Sequence, residues 1–385
     1  MPASPLQFEK LDGKGVKIGV ADTGIDVSHP ALEQCVHAGV SLLNTNTRRG
    51  REVTPPTTTH IDIVGHGTAV AYIIHKKAPA AQIYNIQILD ERLTSSIHRM
   101  IEAIDWAIEQ NLDILNLSMG STHLHRKNEV EAAIRRANEA NLLVVSACHN
   151  HGKQSLPASL PDVFGVVAGA LSGRYSYHWE EKSRKFIARG DHQRVAGLNG
   201  KYLFCFGSSY AAPHITGIIT LIRQTAPRAT YSQVLDLLIA NALQSDTDDK
   251  VPQHLSAALY SRTIRMDIKR YQQQLNSVAI STQADALLNS VKNVVADVLN
   301  LSDAEVLLLH STALLDPVFN LNGETAMLIL DTLQRKFNLM IDDEDLSLMD
   351  FFSLDSLVKA VIRWQKSSSH SSPSACQAVG ELSRR

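Results

Sequence analysis

The sequence has 385 residues, of which 44 % are apolar and 20 % are charged. This composition is ordinary for a globular protein, and the length exceeds what one hydrophobic core usually serves, so two domains are expected. The net charge of −2 gives no reason to expect nucleic acid or an anionic membrane as a partner.

The sequence also lacks the usual marks of export. No run approaches the roughly 20 apolar residues of a membrane span, and Met1 to Lys14 lacks the apolar centre of a signal peptide. We therefore expect a cytoplasmic protein with four free thiols, since the cysteines show no paired spacing. They are Cys35, Cys148, Cys205 and Cys376.

From Val16 to about Ser261, short runs rich in Val, Ile and Leu alternate with helical patterns. The runs are typical of strands buried on both faces of a parallel sheet: Val16–Ala21, Gln82–Leu89, Asp113–Ser118, Leu142–Ala147 and Val163–Ala168. Two apolar stripes at helical spacing lie between them: Ile97, Ile101, Ile104 and Ile108, then Val130, Ala133, Ile134 and Ala137. The alternation predicts a doubly wound α/β fold, with functional groups at the carboxyl ends of the strands.

Three short segments, far apart in the chain, each combine a reactive side chain with glycines or small residues. In chain order they carry an aspartate, a histidine and a serine, which is one of three known orders for an acyl-transfer triad. The segments are Asp22-Thr23-Gly24-Ile25-Asp26, Gly65-His66-Gly67-Thr68 and Gly207-Ser208-Ser209-Tyr210-Ala211-Ala212-Pro213-His214. Because Asp22 comes early in the sequence, we expect no folded pro-domain before it.

These side chains suit nucleophilic catalysis. A serine hydroxyl such as that of Ser209 is a poor nucleophile near neutral pH, so it needs a base within hydrogen-bond reach, and His66 is of the right type. A buried carboxylate, here Asp22, fixes the imidazole tautomer. Because a helical pattern follows Ser209, we expect this serine at a helix N-terminus, with Pro213 in the first turn.

With these motifs, residues of about 15–262 resemble the subtilisin family of serine peptidases. The segment Ala147-Cys148-His149-Asn150-His151-Gly152 matches the family's oxyanion segment, which makes Asn150 the oxyanion donor. Leu117-Ser118-Met119-Gly120 resembles the strand that binds substrate backbone, so Ser118, Met119 and Gly120 are expected to contact substrate. The resemblance implies two-step acyl transfer, with Ser209 as nucleophile, His66 as base and Asp22 as its orienter.

Several departures from the family pattern point to a narrow specificity. His149 replaces a glycine beside Asn150, which predicts a first specificity pocket that is narrowed or polar and has His149 in its wall. Tyr72 replaces a glycine, Ala69 replaces a second histidine, and residues 89–96 lack a glycine-rich substrate strand. The loop after Thr68 lacks the insertion that holds the family's tight calcium ion. We expect no cofactor and no metal, with calcium left as an alternative.

The cluster of Cys148, His149 and His151 raises the question of a zinc site. Neighbouring positions on an extended segment point to opposite sides, and no second cluster has ligand spacing. These residues are therefore interpreted as pocket or surface residues.

After a polar linker at 263–283, residues of about 284–366 resemble the acyl/peptidyl carrier protein family, a small all-α helical bundle. Helices are predicted over Ala284–Leu299, Glu324–Phe337 and Asp355–Trp364, followed by a disordered tail at 367–385. The family's phosphopantetheine serine aligns with Gly323, which has no hydroxyl. Asp355-Ser356-Leu357 matches the family tripeptide but falls at the start of the last helix, so Ser356 is only an alternative attachment site.

The sequence therefore predicts a cytoplasmic serine endopeptidase with narrow specificity, in which a carrier-like domain without prosthetic group serves for docking. Its partners are expected to be a peptide or protein substrate and, on the second domain, a biosynthetic enzyme or a precursor peptide of a natural product. Two alternatives stay open: a catalytically silent binding module in a biosynthetic complex, or acyl transfer and ligation in place of hydrolysis.

Overall fold

The computed structural model describes residues 7–43, 62–150, 152–171, 173–191, 193–243, 282–309, 314, 321, 323–343, 346, 348–351 and 353–370. The chain divides into two compact units, Met1–Lys269 and Arg270–Arg385. The predicted linker lies outside the described residues, except for residues 282 and 283, which begin a helix. None of the described helices is long and apolar enough to cross a membrane.

The first unit is built on an eight-stranded sheet in the order β2-β3-β1-β4-β5-β6-β8-β7. Its neighbouring strands are parallel except for β7, which is antiparallel to β8. A separate antiparallel pair is formed by β9 and β10. The strands are β1 Lys17–Asp22, β2 Val36–Ser41, β3 Gln82–Gln87, β4 Ile114–Leu117, β5 Leu143–Ala147, β6 Val163–Gly169, β7 Tyr177–Glu180, β8 Lys185–Arg189, β9 Gln193–Ala196 and β10 Tyr202–Cys205.

Among the described residues, five α-helices accompany the sheet: α1 His66–Lys77, α2 Ile97–Glu109, α3 Lys127–Glu139, α4 Ser208–Thr225 and α5 Tyr231–Asn241. Successive strand residues alternate between two cores, as the pleat requires. Ile114 and Val145 belong to the core that contains α1, α4 and α5. Leu115 and Val144 belong to the core that contains α2 and α3. The predicted doubly wound, mostly parallel α/β fold is therefore confirmed.

The start of the chain is part of this unit. Within the N-terminal segment 1–14, which precedes the predicted peptidase domain, Phe8–Lys10 forms a turn of 3-10 helix and Phe8 is buried. The ring of Phe8 lies 5.5 Å from that of Tyr175. Burial of this ring stabilises the segment on the core. The N–H groups of Asp12 and Gly13 add hydrogen bonds to Gln224 Oε1 at 3.0 and 2.8 Å.

The position predicted for Pro213 was wrong. Helix α4 begins at Ser208, so Pro213 is its sixth residue and lies in the second turn. Because proline has no backbone N–H, it cannot donate to the carbonyl of Ser209 four residues earlier. The helix continues to Thr225 because tertiary packing compensates, since residues 211–223 are buried throughout.

The described part of the second unit is helical: α6 Thr282–Leu299, α7 Asp303–Leu308, α8 Gly323–Phe337 and α9 Leu354–His370. Helix α6 packs against α8 and α9. Buried side chains from all three include Val291, Leu330 and Trp364. The three predicted helices are present, and Gly323 begins α8 as expected. The resemblance to carrier proteins stays a prediction.

The last helix of this unit is longer than predicted, and it contains Ser356. The tail was expected to be disordered from residue 367, but α9 continues through 367–370, and residues 371–385 lie outside the described part. Ser356 lies in the first turn of α9, as predicted. It is only 7 % exposed, its N–H donates to Ser353 Oγ at 3.1 Å, and its Oγ lies 3.0 Å from Ser353 Oγ.

A buried guanidinium, that of Arg223, connects the last turn of α4 to two neighbouring parts of the first unit. Arg223 donates from Nη1 to the carbonyl of Pro227 and from Nη2 to that of Asn141, both at 2.7 Å. We predict that Arg223→Met lowers the free energy of unfolding by about 2–3 kcal/mol, because two partly buried carbonyls lose a charged donor. Arg223→Lys should recover only part of this loss, since an ammonium cannot bridge both carbonyls.

Urea unfolding followed by tryptophan fluorescence measures this effect. Arg228→Met is the control, because Arg228 lies just after α4, next to Pro227, and is exposed. Equal unfolding midpoints for the variants at 223 and 228 would show that the buried bridge does not stabilise the fold.

The burial of Ser356 leads to a second prediction. Incubation of the full chain with coenzyme A and a phosphopantetheinyl transferase should add no mass, because transfer requires an accessible hydroxyl. Intact-mass spectrometry checks this, with a carrier protein of known reactivity as the positive control. A Ser356 peptide heavier by one phosphopantetheine would contradict the prediction.

Candidate active site

Three neighbouring strands end at the same edge of the sheet and deliver three predicted site segments there. Strand β1 ends at Asp22, β4 is followed by 118–120, and β5 is followed by Asn150. Because β1 pairs with β4 and β4 pairs with β5, all in parallel, these segments come together. The edge is the one at which ligands of α/β sheets generally bind.

Asp22 and His66 form a direct contact at this edge. The Nδ1 atom of His66 lies 2.7 Å from Asp22 Oδ1. The carboxylate is fully buried and the imidazole is 12 % exposed. The backbone N–H of Thr23 donates to the same Oδ1 at 2.8 Å, whereas Oδ2 of Asp22 has no hydrogen-bond partner within the described structure. An N–H at Nδ1 leaves Nε2 as the basic nitrogen.

The surroundings of His66 favour its protonated form. Burial alone lowers the pKa of His66, but the charge and hydrogen bond of Asp22 and the charge of Asp62 raise it, and the net pKa lies above the ordinary value. An imidazolium is therefore stabilised here, as a general base requires once it has taken a proton.

Asp62 is a site residue that the sequence interpretation missed. It is buried and accepts five hydrogen bonds from residues around the Asp22–His66 contact. The available signal was an acidic residue four positions before His66, close enough to cap the first turn of α1. Gly65, at the N-cap itself, has no side chain with which to do this.

Ser209 lies in the first turn of α4, where backbone N–H groups have no partner within the helix. Its Oγ donates to the carbonyl oxygen of Ser118 at 2.8 Å. The next residue, Tyr210, packs its ring against the imidazole of His66, with 5.0 Å between ring centroids. The predicted nucleophile thus lies beside the predicted base, and its hydroxyl is held by the segment predicted to bind substrate.

Asn150 is held in a defined orientation beside α4. Its Oδ1 accepts a hydrogen bond from the N–H of Ser208 at 2.8 Å. Since the oxygen is engaged, the Nδ2 donor is left to face the cavity that Asn150 and Ser209 both line. Two donors, Nδ2 of Asn150 and the N–H of Ser209, thereby flank one opening, which is the arrangement that stabilises an oxyanion.

Two cavities meet at Ser209. The smaller, of about 270 Å³, is lined by 119–120 and 147–150 together with Ser155 and Ser209. His149 lies in its wall, as predicted, and Ser155 is a lining residue that the sequence interpretation missed. The larger, of about 410 Å³, is lined by His66, Leu89, 93–97, Met100, 118–123 and Ser209. Met119 and Gly120 border both cavities, whereas Ser118 borders the larger one.

The region after His66 contains Tyr72, which departs from the family pattern, and the loop relevant to the calcium alternative. Tyr72 is buried and packs edge-on against Tyr202 of β10, with 5.7 Å between ring centroids. The resemblance would place a calcium loop between α1 and β3. That connection is Ala78-Pro79-Ala80-Ala81, which offers no carboxylate or amide side chain as a ligand. The expectation of no metal, with calcium as the alternative, stays a prediction.

The zinc alternative receives no support in the described part of the chain. There, no group of three His, Cys, Asp or Glu side chains is arranged to hold a metal ion. His151, which belongs to the cluster considered above, lies outside the described residues.

The chain is similar to characterised peptidases. It is 31 % identical over 234 residues to a thermostable alkaline protease of Halalkalibacterium halodurans, covering 58 % of this chain and 60 % of that protein. It is 28 % identical over 243 residues to an intracellular serine protease of Paenibacillus polymyxa, covering 59 % of this chain and 72 % of that one. The chain thus spans less than two thirds of the length of the first of these relatives.

The fold also matches solved structures. A crystal structure of a lanthipeptide protease aligns with a TM-score of 0.52 at 24 % identity, covering 64 % of this chain and 86 % of that one. At this identity the match shows a similar fold and nothing more. The model of the subtilase family matches residues 13–258, which is more than half of the chain. The chain therefore belongs to the subtilase family of serine peptidases.

Proposed function

We propose that this chain is a serine endopeptidase that cleaves peptide bonds through Asp22, His66 and Ser209, with Asn150 as an oxyanion donor. The observation that carries the proposal is the 2.7 Å contact between His66 Nδ1 and buried Asp22, beside a serine at a helix N-terminus. A buried acid–imidazole pair next to a serine hydroxyl has the geometry of a general-base triad.

The proposed reaction begins when Ser209 Oγ leaves the carbonyl of Ser118 and attacks a peptide carbonyl carbon. Its proton passes to Nε2 of His66, and the carbonyl oxygen becomes an oxyanion that accepts hydrogen bonds from Asn150 Nδ2 and the Ser209 N–H. His66 then gives its proton to the leaving nitrogen as the C–N bond breaks. A water, deprotonated by His66, releases the acyl group and restores the hydroxyl of Ser209.

The two cavities support a narrow specificity. The smaller one presents the polar groups of His149 and Ser155 next to Ser209, which favours a compact or polar side chain before the scissile bond. The larger one presents Leu89, Leu93 and Met100, which favours an apolar side chain further along the substrate. A substrate that satisfies both cavities is a small subset of peptides, as expected for a processing enzyme.

We also propose a role in the maturation of precursor peptides. One solved structure with this fold is described as a lanthipeptide protease, which is compatible with trimming of a precursor peptide. We further propose that the second unit is a docking module without prosthetic group, because Gly323 stands where the resemblance places the modified serine and Ser356 is buried. Its partner would be a basic leader peptide or a biosynthetic enzyme, and the location would be cytoplasmic.

A second candidate, a silent binding module, is favoured by one observation. Ser209 Oγ donates to the carbonyl of Ser118 and not to His66. Hydrogen bonds between catalytic groups are commonly formed only when substrate is bound, so we prefer the enzyme. Labelling of the serine separates the two candidates.

We predict that a fluorophosphonate labels the wild-type chain on Ser209, because Ser209 is the hydroxyl beside a base. Ser209→Ala should abolish labelling. Ser208→Ala is the matched control. The hydroxyl of Ser208 accepts a hydrogen bond from the N–H of Ala168 and should be dispensable for the chemistry. Intact mass and peptide mapping give the result. An unlabelled wild-type chain, or equal labelling of Ser209→Ala, would favour the silent module.

We also predict a pH dependence of this labelling. His66 must be neutral to accept the proton of Ser209, and Asp22 and Asp62 raise its pKa above the ordinary value of 6.5. The rate should therefore rise with pH and reach half its maximum above pH 6.5. Rates measured between pH 5 and 9 check this. A midpoint below pH 6.5 would contradict this prediction, because burial would then lower the pKa of His66 by more than Asp22 raises it.

A further inference from the structure

We propose that Asp62 is a positioning residue that fixes Asp22 and His66 relative to each other. Neither the sequence motifs nor the comparisons assign this residue a role. The inference rests on the proposed function for its catalytic meaning, although its geometric content can be tested without activity.

The two carboxylate oxygens of Asp62 are fully engaged. Oδ1 accepts hydrogen bonds from Thr23 Oγ1 at 2.9 Å, the N–H of Val64 at 2.9 Å and the N–H of Gly65 at 2.8 Å. Oδ2 accepts from the N–H and the hydroxyl of Thr68 at 3.0 and 2.7 Å. All five partners donate, which is a pattern that only an ionised carboxylate can accept in full.

These bonds join the two chain segments that carry the catalytic pair. Thr23 follows Asp22 directly, and its backbone N–H donates to Asp22 Oδ1. Gly65 and Thr68 flank His66 at the start of α1. The hydroxyl of Thr23 also accepts from the N–H of Gly67 at 2.9 Å. Asp62 therefore connects the end of β1 to the first turn of α1 on both sides of His66.

Asp62 also acts on His66 through its charge. The groups that face the imidazole are Asp22 from the end of β1, Asp62 from the segment before α1 and Tyr210 from α4. Of these, Asp22 touches the ring, whereas the carboxylate of Asp62 acts at longer range and raises the pKa of His66.

The test separates charge from geometry with two variants. Asp62→Asn removes the negative charge, so it should lower the pKa of His66. It also turns an amide NH₂ group toward N–H and O–H donors, which disturbs the geometry and should slow Ser209 labelling about tenfold. Thr23→Val keeps the charge but removes the hydroxyl that joins Asp62 to Gly67. It should slow labelling while leaving the pKa of His66 near that of the wild type, and Thr23→Ser should restore the rate.

The pKa of His66 is read by NMR titration of its imidazole in a Ser209→Ala background, so this readout needs no activity. Asp26→Asn is the matched control. Asp26 is also buried and accepts hydrogen bonds from Ser28 and from the N–H of Asn199, yet its charge is not among those that act on His66. This control should change neither the pKa of His66 nor the labelling rate.

The outcomes are distinct. A lowered His66 pKa in Asp62→Asn, together with slower labelling of folded Thr23→Val, supports the positioning role. An unchanged pKa and unchanged labelling in both variants overturn it. If Asp62→Asn does not fold, Thr23→Val and Thr23→Ser still decide the geometric part. If the wild-type chain is not labelled at all, the proposed function fails, and the titration alone decides whether Asp62 acts on His66.

Discussion

The hydrogen bond between Asp22 and Nδ1 of His66 is the contact around which the site is arranged. It joins the last residue of β1 to the first residue of α1, at a distance of 2.7 Å and with the carboxylate fully buried. A buried carboxylate is costly unless its oxygens are matched by donors or a cation. Oδ1 is matched by the imidazole and by the N–H of Thr23, and the charge of the carboxylate stabilises the imidazole once it holds a proton.

This contact explains the glycines of the histidine motif. Gly65 adopts a left-handed conformation with φ 94° as α1 begins, which costs little for glycine. A Cβ at Gly67 would overlap the carbonyl oxygen of Gly24 and lie 3.0 Å from Cβ of Asp22. The first turn of α1 is therefore pressed against the aspartate segment so closely that no side chain fits between them.

The nucleophile is arranged by a second helix start. Gly207 precedes α4 with φ 121°, and its N–H donates to the carbonyl of Gly190. Ser208 contacts Asn150 on one side and the N–H of Ala168 on the other. The bond from the Ser208 N–H to Asn150 holds Asn150 beside the Ser209 N–H at one cavity. Preorganised donors of this kind stabilise developing charge without reorganisation during the reaction.

Much of this arrangement follows from the sequence, and the remainder has identifiable physical reasons. Continuous apolar runs such as Leu142–Ala147 predicted the central strands, because both faces of those strands are buried. Strands β2, β7, β8, β9 and β10 escaped prediction. Polar or charged residues shorten the apolar runs of the first four. Tyr202–Cys205 is apolar but short, and it is half-exposed at every position. Asp62 escaped because its role depends on Thr23, which is distant in sequence.

The most direct test of the central claim is a crystal structure of the chain with a peptide aldehyde, which mimics the tetrahedral intermediate. The account predicts a bond from Ser209 Oγ to the aldehyde carbon, with the hemiacetal oxygen about 2.7–3.1 Å from both Asn150 Nδ2 and the Ser209 N–H. His66 should lie within hydrogen-bond reach of Ser209, and the carbonyl of Ser118 should have lost its bond to Oγ. An inhibitor bound without a covalent bond, with Ser209 still donating to Ser118, would contradict the account.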